Sequence, residues 1–210
     1  MVAMAFHGAK PSERFMLWVD AVGGYWVCLK DEVVLGQPGE QGEADIPILA
    51  DLSGRHARIG RDGEGYWIEA LRDVRLDGRP VGQRGWLRDG SRIELGSSVR
   101  LVFRRPHPLS ATARLEFTSR HRTRPASDGV LLMADCCVLG PKPNSHIVCR
   151  EWPREVILVR QEETLVCHTA GPLEIDGISS SDRGGLLWTS RVAGEGFSFS
   201  LEPIQVECRQ

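Results

Sequence analysis

The chain has 210 residues, enough for one large domain or two of ordinary size, each with a buried core. Its 26 basic and 28 acidic side chains leave a formal net charge of −2, which excludes the global basic field that general nucleic-acid binding requires. No stretch reaches the roughly 18–20 apolar residues that cross a bilayer; residues 1–14 hold no apolar run of secretory-signal length, and six unevenly spread cysteines do not suggest a disulfide framework, so a reduced, cytoplasmic protein is expected.

In chain order, the first predicted element is a strand over residues 15–20, followed at Val22-Gly23-Gly24-Tyr25 by a tight hairpin, because glycine accepts the positive φ such turns demand. An early strand ends at Leu35-Gly36. The glycine-containing stretch 36–42 lacks the lysine and following helix of a P-loop and reads as a connection. Asp45-Ile46, Ser53-Gly54-Arg55-His56, Tyr66-Trp67-Ile68 and Asp77-Gly78 follow. Arg92–Leu95 and residues 99–103 then alternate apolar and polar side chains with the period of two of half-buried strands. Arg104-Arg105-Pro106-His107-Pro108 suits a linker, since each proline lacks a ladder donor and biases its predecessor toward extended geometry.

The remaining chain repeats this order at an offset of about 100 residues. Gly24-Tyr25-Trp26-Val27 falls over Gly129-Val130-Leu131-Leu132, and Val34-Leu35-Gly36 over Val138-Leu139-Gly140. Asp45-Ile46 meets His146-Ile147, Leu52 meets Trp152, Tyr66-Trp67-Ile68 meets Leu165-Val166-Cys167, and Leu76-Asp77-Gly78 meets Ile175-Asp176-Gly177. A repeat of that length is a whole domain, so two copies of one β-sandwich are expected, over residues 1–108 and 109–210. Residues 112–118 would open the second copy as residues 15–20 open the first. The short hairpin is replaced there by residues 119–128, which carry Arg120, His121, Arg122 and Arg124, the most basic stretch of the chain. It reads either as a contact for an anion or acidic partner or as a solvated loop.

Residues 17–103, with these landmarks, resemble the forkhead-associated (FHA) domain, a β-sandwich family whose members bind phosphothreonine peptides through loops at one end. Gly36 matches the family glycine, but Gln37 stands where an arginine meets the phosphate. Ser53 matches the phosphate-contacting serine. Gly54 replaces the arginine after it, with Arg55 adjacent, and His56 matches the histidine that braces the loops, a structural role. Asp77-Gly78 fits the second of two Asn-Gly turns; the first, which grips the peptide backbone, is absent, with Arg72 near its place. The resemblance thus implies a phosphopeptide set of Gly36, Gln37, Ser53, Arg55 and Arg72. Arg58 and Arg61 either join it or lie on a solvated strand face. The second copy resembles the family only through the repeat: Pro141 follows Gly140, and Pro153-Arg154-Glu155-Val156 replaces Ser53-Gly54-Arg55-His56, so no phosphate site is expected there.

Competing chemistries fit less well. Cys136, Cys137, His146, Cys149, Cys167 and His168 crowd one region, but adjacent cysteines on a strand point to opposite faces and do not make a zinc knuckle. Cys167-His168 and the pair Asp176 and Asp182 sit in no catalytic framework, and no nucleophile elbow or dinucleotide fingerprint occurs. Trp18, Trp26, Trp67, Trp86, Trp152 and Trp188 read as core residues rather than a stacking platform for nucleic acid. The expectation is an all-β protein of two tandem FHA-like sandwiches without enzyme activity, cofactor, metal or membrane association. Its partner is a protein, Thr-phosphorylated by a Ser/Thr kinase on the first reading. On the alternative, the sites have decayed and the chain is a phosphate-independent scaffold.

Overall fold

The structure, a computed structural model, describes residues 13–39, 44–107, 109–162 and 164–204. Among these there is no helix, and so none long and apolar enough to cross a membrane. The all-β fold expected from the alternating segments is present, and each repeat contributes eleven strands. The first holds β1 (Arg14–Val19), β2 (Gly23–Cys28), β3 (Glu32–Gly36), β4 (Ile46–Pro47), β5 (Ala57–Asp62), β6 (Gly65–Ala70), β7 (Val74–Leu76), β8 (Arg79–Pro80), β9 (Arg84–Leu87), β10 (Arg92–Leu95) and β11 (Val99–Arg104). The second holds β12 (Ala113–Phe117), β13 (Gly129–Leu132), β14 (Cys136–Gly140), β15 (Ile147–Val148), β16 (Val156–Gln161), β17 (Thr164–Thr169), β18 (Leu173–Ile175), β19 (Ile178–Ser180), β20 (Arg183–Leu186), β21 (Arg191–Gly194) and β22 (Phe197–Pro203).

The repeat is visible in backbone chemistry as well as in order. Leu35 pairs with Ile46 and Gly36 with Pro47 in a short parallel ladder, and Leu139 with Ile147 and Gly140 with Val148 do the same. Asp77 and Asp176 both adopt positive φ at the first position of a tight turn, each followed by glycine. Their carboxylates accept from the backbone N–H of Arg92 and Arg191, each at 2.8 Å. The carboxylate thus ties the tight turn to the neighbouring strand, and the turn itself favours residues that tolerate positive φ, which accounts for Asp-Gly in both repeats.

Each repeat keeps a private five-stranded sheet, ordered β4-β3-β5-β6-β9 in the first and β15-β14-β16-β17-β20 in the second. The other strands join one twelve-stranded sheet in the order β19-β18-β21-β22-β1-β2-β13-β12-β11-β10-β7-β8. In this sheet the opening hairpins have changed places. The β1–β2 hairpin pairs with β22, the last strand of the second repeat, and the β12–β13 hairpin pairs with β11, the last strand of the first. The two halves meet at a parallel seam in which Tyr25, Trp26, Val27 and Cys28 face Gly129, Val130, Leu131 and Leu132.

Side-chain alternation along the seam then divides neighbours between two cores. Phe15, Leu17, Tyr25, Val27, Leu131 and Met133 pack into the core of the second repeat with Leu139, Leu158 and Phe199. Met16, Trp26, Cys28, Val130 and Leu132, together with Ala113 and Leu115, pack into the core of the first with Leu35, Ile59 and Leu101. The expected division at 108/109 falls in the connection between β11 and β12, yet the cores do not divide there. Polar ties across the exchange include the Tyr66 hydroxyl, which lies 2.7 Å from the carbonyl of Ala111 and 3.2 Å from that of Leu132, and the Arg160 guanidinium, which donates to the carbonyl of Leu29 at 2.6 Å.

Two expectations are refined. The first hairpin turn spans residues 20–22, with Ala21 at φ 59°, and Gly23 and Gly24 already belong to β2. Gly24 is required by close approach, because a Cβ there would lie 2.3 Å from the Trp18 ring. Of the tryptophans, Trp26, Trp67 and Trp152 are buried and Trp188 packs against Phe15, whereas Trp18 and Trp86 are exposed.

Candidate functional site

Loops from both repeats gather at one end of the first sandwich. Gly36 ends β3 directly against the β4–β5 loop, where a Cβ would lie 2.0 Å from the carbonyl oxygen of Gly54 and 2.6 Å from that of Ser53. Only a glycine lets the two backbones approach this closely. The Gln37 N–H then donates to the Ser53 carbonyl at 3.1 Å, and the Ile48 N–H to the Gly36 carbonyl at 2.7 Å. Three of the residues named from the sequence, Gly36, Gln37 and Ser53, are thus in backbone contact.

His56 ties this pair of loops to a third. The side chain is 5% exposed. Its Nδ1 accepts from the Ser53 N–H at 3.3 Å, and its Nε2 lies 2.9 Å from the Asp73 carbonyl. A carbonyl only accepts, so this network assigns the neutral tautomer with the proton on Nε2. The backbone of His56 donates to the Leu35 carbonyl at 2.8 Å, and its own carbonyl accepts from Leu71 at 3.2 Å and Arg72 at 3.0 Å. One imidazole and one peptide unit therefore set the relative positions of the loops bearing Gln37, Ser53 and Arg72.

The polar groups at this end are open to solvent. Ser53 is partly buried, while Gln37, Arg55 and Arg72 are exposed. Arg72 donates to its neighbour's carbonyl at Leu71, 2.8 Å, and neither it nor Arg55 forms an ion pair among the described residues. Arg58 and Arg61 lie elsewhere, on β5. Arg58 pairs with Glu32 at 3.3 Å and Glu69 at 3.2 Å, and Arg61 with Asp31 at 2.5 Å and the Tyr66 hydroxyl at 3.1 Å. Their charges are already engaged on the strand face.

A further loop at this end was not anticipated. Because β12–β13 is exchanged, residues 118–128 of the second repeat lie against the first repeat's loops. The Leu49 N–H donates to the Arg122 carbonyl at 2.9 Å, the Arg124 N–H to the Pro47 carbonyl at 3.0 Å, and Ile48 bridges Thr123 in antiparallel register. The Thr118 N–H donates to the Arg100 carbonyl at 3.0 Å, and His121 Nε2 is 3.4 Å from the Ser98 hydroxyl. The signal that points to the exchange is the unbroken apolar character of the two seam strands. Residues 24–28 and 129–132 are buried on both faces, which a strand covered on one side only would not be.

The corresponding end of the second repeat is built differently. Arg154, in the segment aligned with Ser53 to His56, donates to the Ala170 carbonyl at 2.5 Å and pairs with Glu195 at 2.6 Å. Its cation braces loops. Cys137, Cys149 and Cys167 are buried in the core of that repeat, and burial pushes the Cys149 and Cys167 thiols up to about 12 and Cys137 higher still, so they are protonated and unreactive. No group of three potential metal ligands occurs among the described residues.

No family model matches the chain, and no curated protein matches it. Solved structures similar to it include one from work on phosphothreonine-dependent FHA domain interactions, 25% identical over 46% of this chain and 99% of that one, with a TM-score of 0.31. The FHA structure of Rv0020c is 26% identical over 43% of this chain and 90% of that one, TM-score 0.29. The N-terminal FHA domain of EssC, a component of the bacterial Type VII secretion apparatus, is 14% identical over 91% of this chain and 98% of that one, TM-score 0.25.

Proposed function

We propose that this chain is a non-catalytic interaction module that takes a phosphothreonine peptide in the loops around Gly36, Ser53 and Arg72. The observation that carries the reading is the His56 brace. It holds a partly buried serine beside Gly36 and Gln37 and fixes the adjacent loop of Arg72, and the exposed guanidiniums of Arg55 and Arg72 form no ion pair among the described residues. A phosphothreonine dianion needs hydroxyl, amide and guanidinium donors together. On this reading Ser53 supplies the hydroxyl, Arg55 the cation at the phosphate and Arg72 a contact to the peptide backbone, while Gln37 contributes a neutral hydrogen bond. A hydrogen bond to a charged group contributes about 1.5–3 kcal/mol. Gln37 in place of arginine therefore predicts weaker binding than a full receptor, by roughly one to two decades. Phosphate written by a Ser/Thr kinase and read by this module would place it in kinase signalling.

The test is fluorescence-polarisation binding of a degenerate phosphothreonine peptide pool and its unphosphorylated twin to the wild-type chain and to Ser53→Ala. The expected result is binding that disappears without phosphate and weakens about tenfold or more in the variant. Gln37 and Gly54 favour a second reading, a scaffold whose phosphate site has decayed. Identical affinity for the two pools would select it.

A further inference from the structure

We propose that the exchanged loop, residues 119–128, is a second, cationic wall of the first repeat's peptide site, selecting phosphothreonine peptides whose flanking residues are acidic. The inference rests on the phosphopeptide reading above and adds to it a ligand class and a source of specificity that the first repeat alone does not contain.

The loop is pinned to the site's own scaffold. Backbone hydrogen bonds join Leu49 to Arg122 and Arg124 to Pro47, and Pro47 sits in register with Gly36 in the β3–β4 ladder. Within the loop, Thr123 is fully buried and its hydroxyl donates to the Pro125 carbonyl at 2.6 Å and meets the Ser127 hydroxyl at 2.8 Å. The backbone is therefore ordered before any ligand arrives, which lowers the entropy cost of using it. At the other end, His121 bridges Ser98 and Ser119, joining the loop to the β10–β11 turn; a Cβ on Gly96 in that turn would lie 3.7 Å from His56.

The cations of the loop remain free to act. Arg120, Arg122 and Arg124 are all exposed. Arg122 makes only a long contact with Asp128, 3.7 Å, and Arg120 and Arg124 form no ion pair among the described residues. Asp128 is held in turn by the Gly24 N–H at 2.9 Å. With Arg55, Arg72 and Arg100, these groups make a cationic rim opposed by Asp51, Asp73 and Asp128 in a molecule whose net charge is −2. A local positive field on an overall acidic chain concentrates and orients anionic segments in preference to neutral ones. The tight turn at residues 20–22, which holds the same topological position in the β1–β2 hairpin that joins the second repeat, contains no basic residue.

Two phosphothreonine peptides that differ only in their flanks, one bearing Asp and Glu and the other uncharged, test this in fluorescence polarisation. Each is measured with its unphosphorylated twin against the full chain, Arg120→Ser/Arg122→Ser and Ser53→Ala. Acidic flanks are expected to strengthen binding on the order of five- to tenfold at low salt, and the double variant to bring the ratio of the two affinities near one. Ser53→Ala should weaken both phosphopeptides and leave their ratio standing. Phosphate-dependent binding whose flank preference is absent, or survives in the double variant, overturns this inference alone. Binding indifferent to phosphate overturns the underlying reading and this inference with it.

Discussion

Gly36 and His56 show how much of the site single residues determine. Adding a methyl group at Gly36 places it inside the carbonyl of Gly54, and a backbone contact cannot rotate away as a side chain does. Gly36→Ala is expected to cost about 1–3 kcal/mol and to separate the Gln37 and Ser53 loops, so that urea midpoint and phosphopeptide affinity fall together. These positions were legible in the sequence through the resemblance to the FHA family, whose landmark glycine, serine and histidine they match in order. His146 was not legible. It is buried, its Nδ1 accepts from the Val138 N–H at 2.9 Å, it stacks on His107 at 5.9 Å, and burial, with His107 and Arg114 nearby, lowers its pKa to about 4. The folded state thus binds the proton more weakly than the unfolded chain does. Stability is full above the ordinary histidine value of about 6.5 and is lost as the pH falls toward 4. Urea midpoints measured between pH 7 and pH 4.5 should show that slope in the wild type and a flatter one in His146→Asn, whose amide oxygen replaces Nδ1 as acceptor.

At the scale of elements, the exchanged hairpins are the feature that sequence order concealed. Alternation predicted the strands, and the repeat predicted which strands correspond. Neither says whether β1 pairs with β11 or with β22, since both last strands offer the same edge and an apolar neighbour. The choice shows only in burial on both faces of β2 and β13. It follows that adjacent residues in β2 report on different cores: Trp26 belongs to that of the first repeat and Val27 to that of the second. Trp26→Ala should cost about 3–5 kcal/mol, with NMR shifts concentrated around Ile59 and Leu101. Val27→Ala should perturb Leu158 and Phe199 instead. Perturbation of one core by both variants would contradict the exchange.

For the whole molecule, a shared sheet means shared stability. Phe15, Leu17, Tyr25 and Val27 pack into the second core and Ala113, Leu115, Val130 and Leu132 into the first, so neither core is complete without the other repeat. We expect one cooperative unfolding transition, coincident in tryptophan fluorescence and far-ultraviolet circular dichroism, where independent sandwiches would give two. The same connectivity carries the basic loop to the loops around Gly36 and Ser53, so on the proposed reading fold and ligand choice are linked through the exchange. The most direct test of that linked account is a 15N-edited NMR titration of the full chain with a phosphothreonine peptide bearing acidic flanks. The account predicts shifts confined to Gln37, Ser53, Arg55 and Arg72 and, from the other repeat, Arg120, Arg122 and Arg124. Shifts centred on residues 141–155 and 194–198, or none that distinguish the peptide from its unphosphorylated twin, would contradict it.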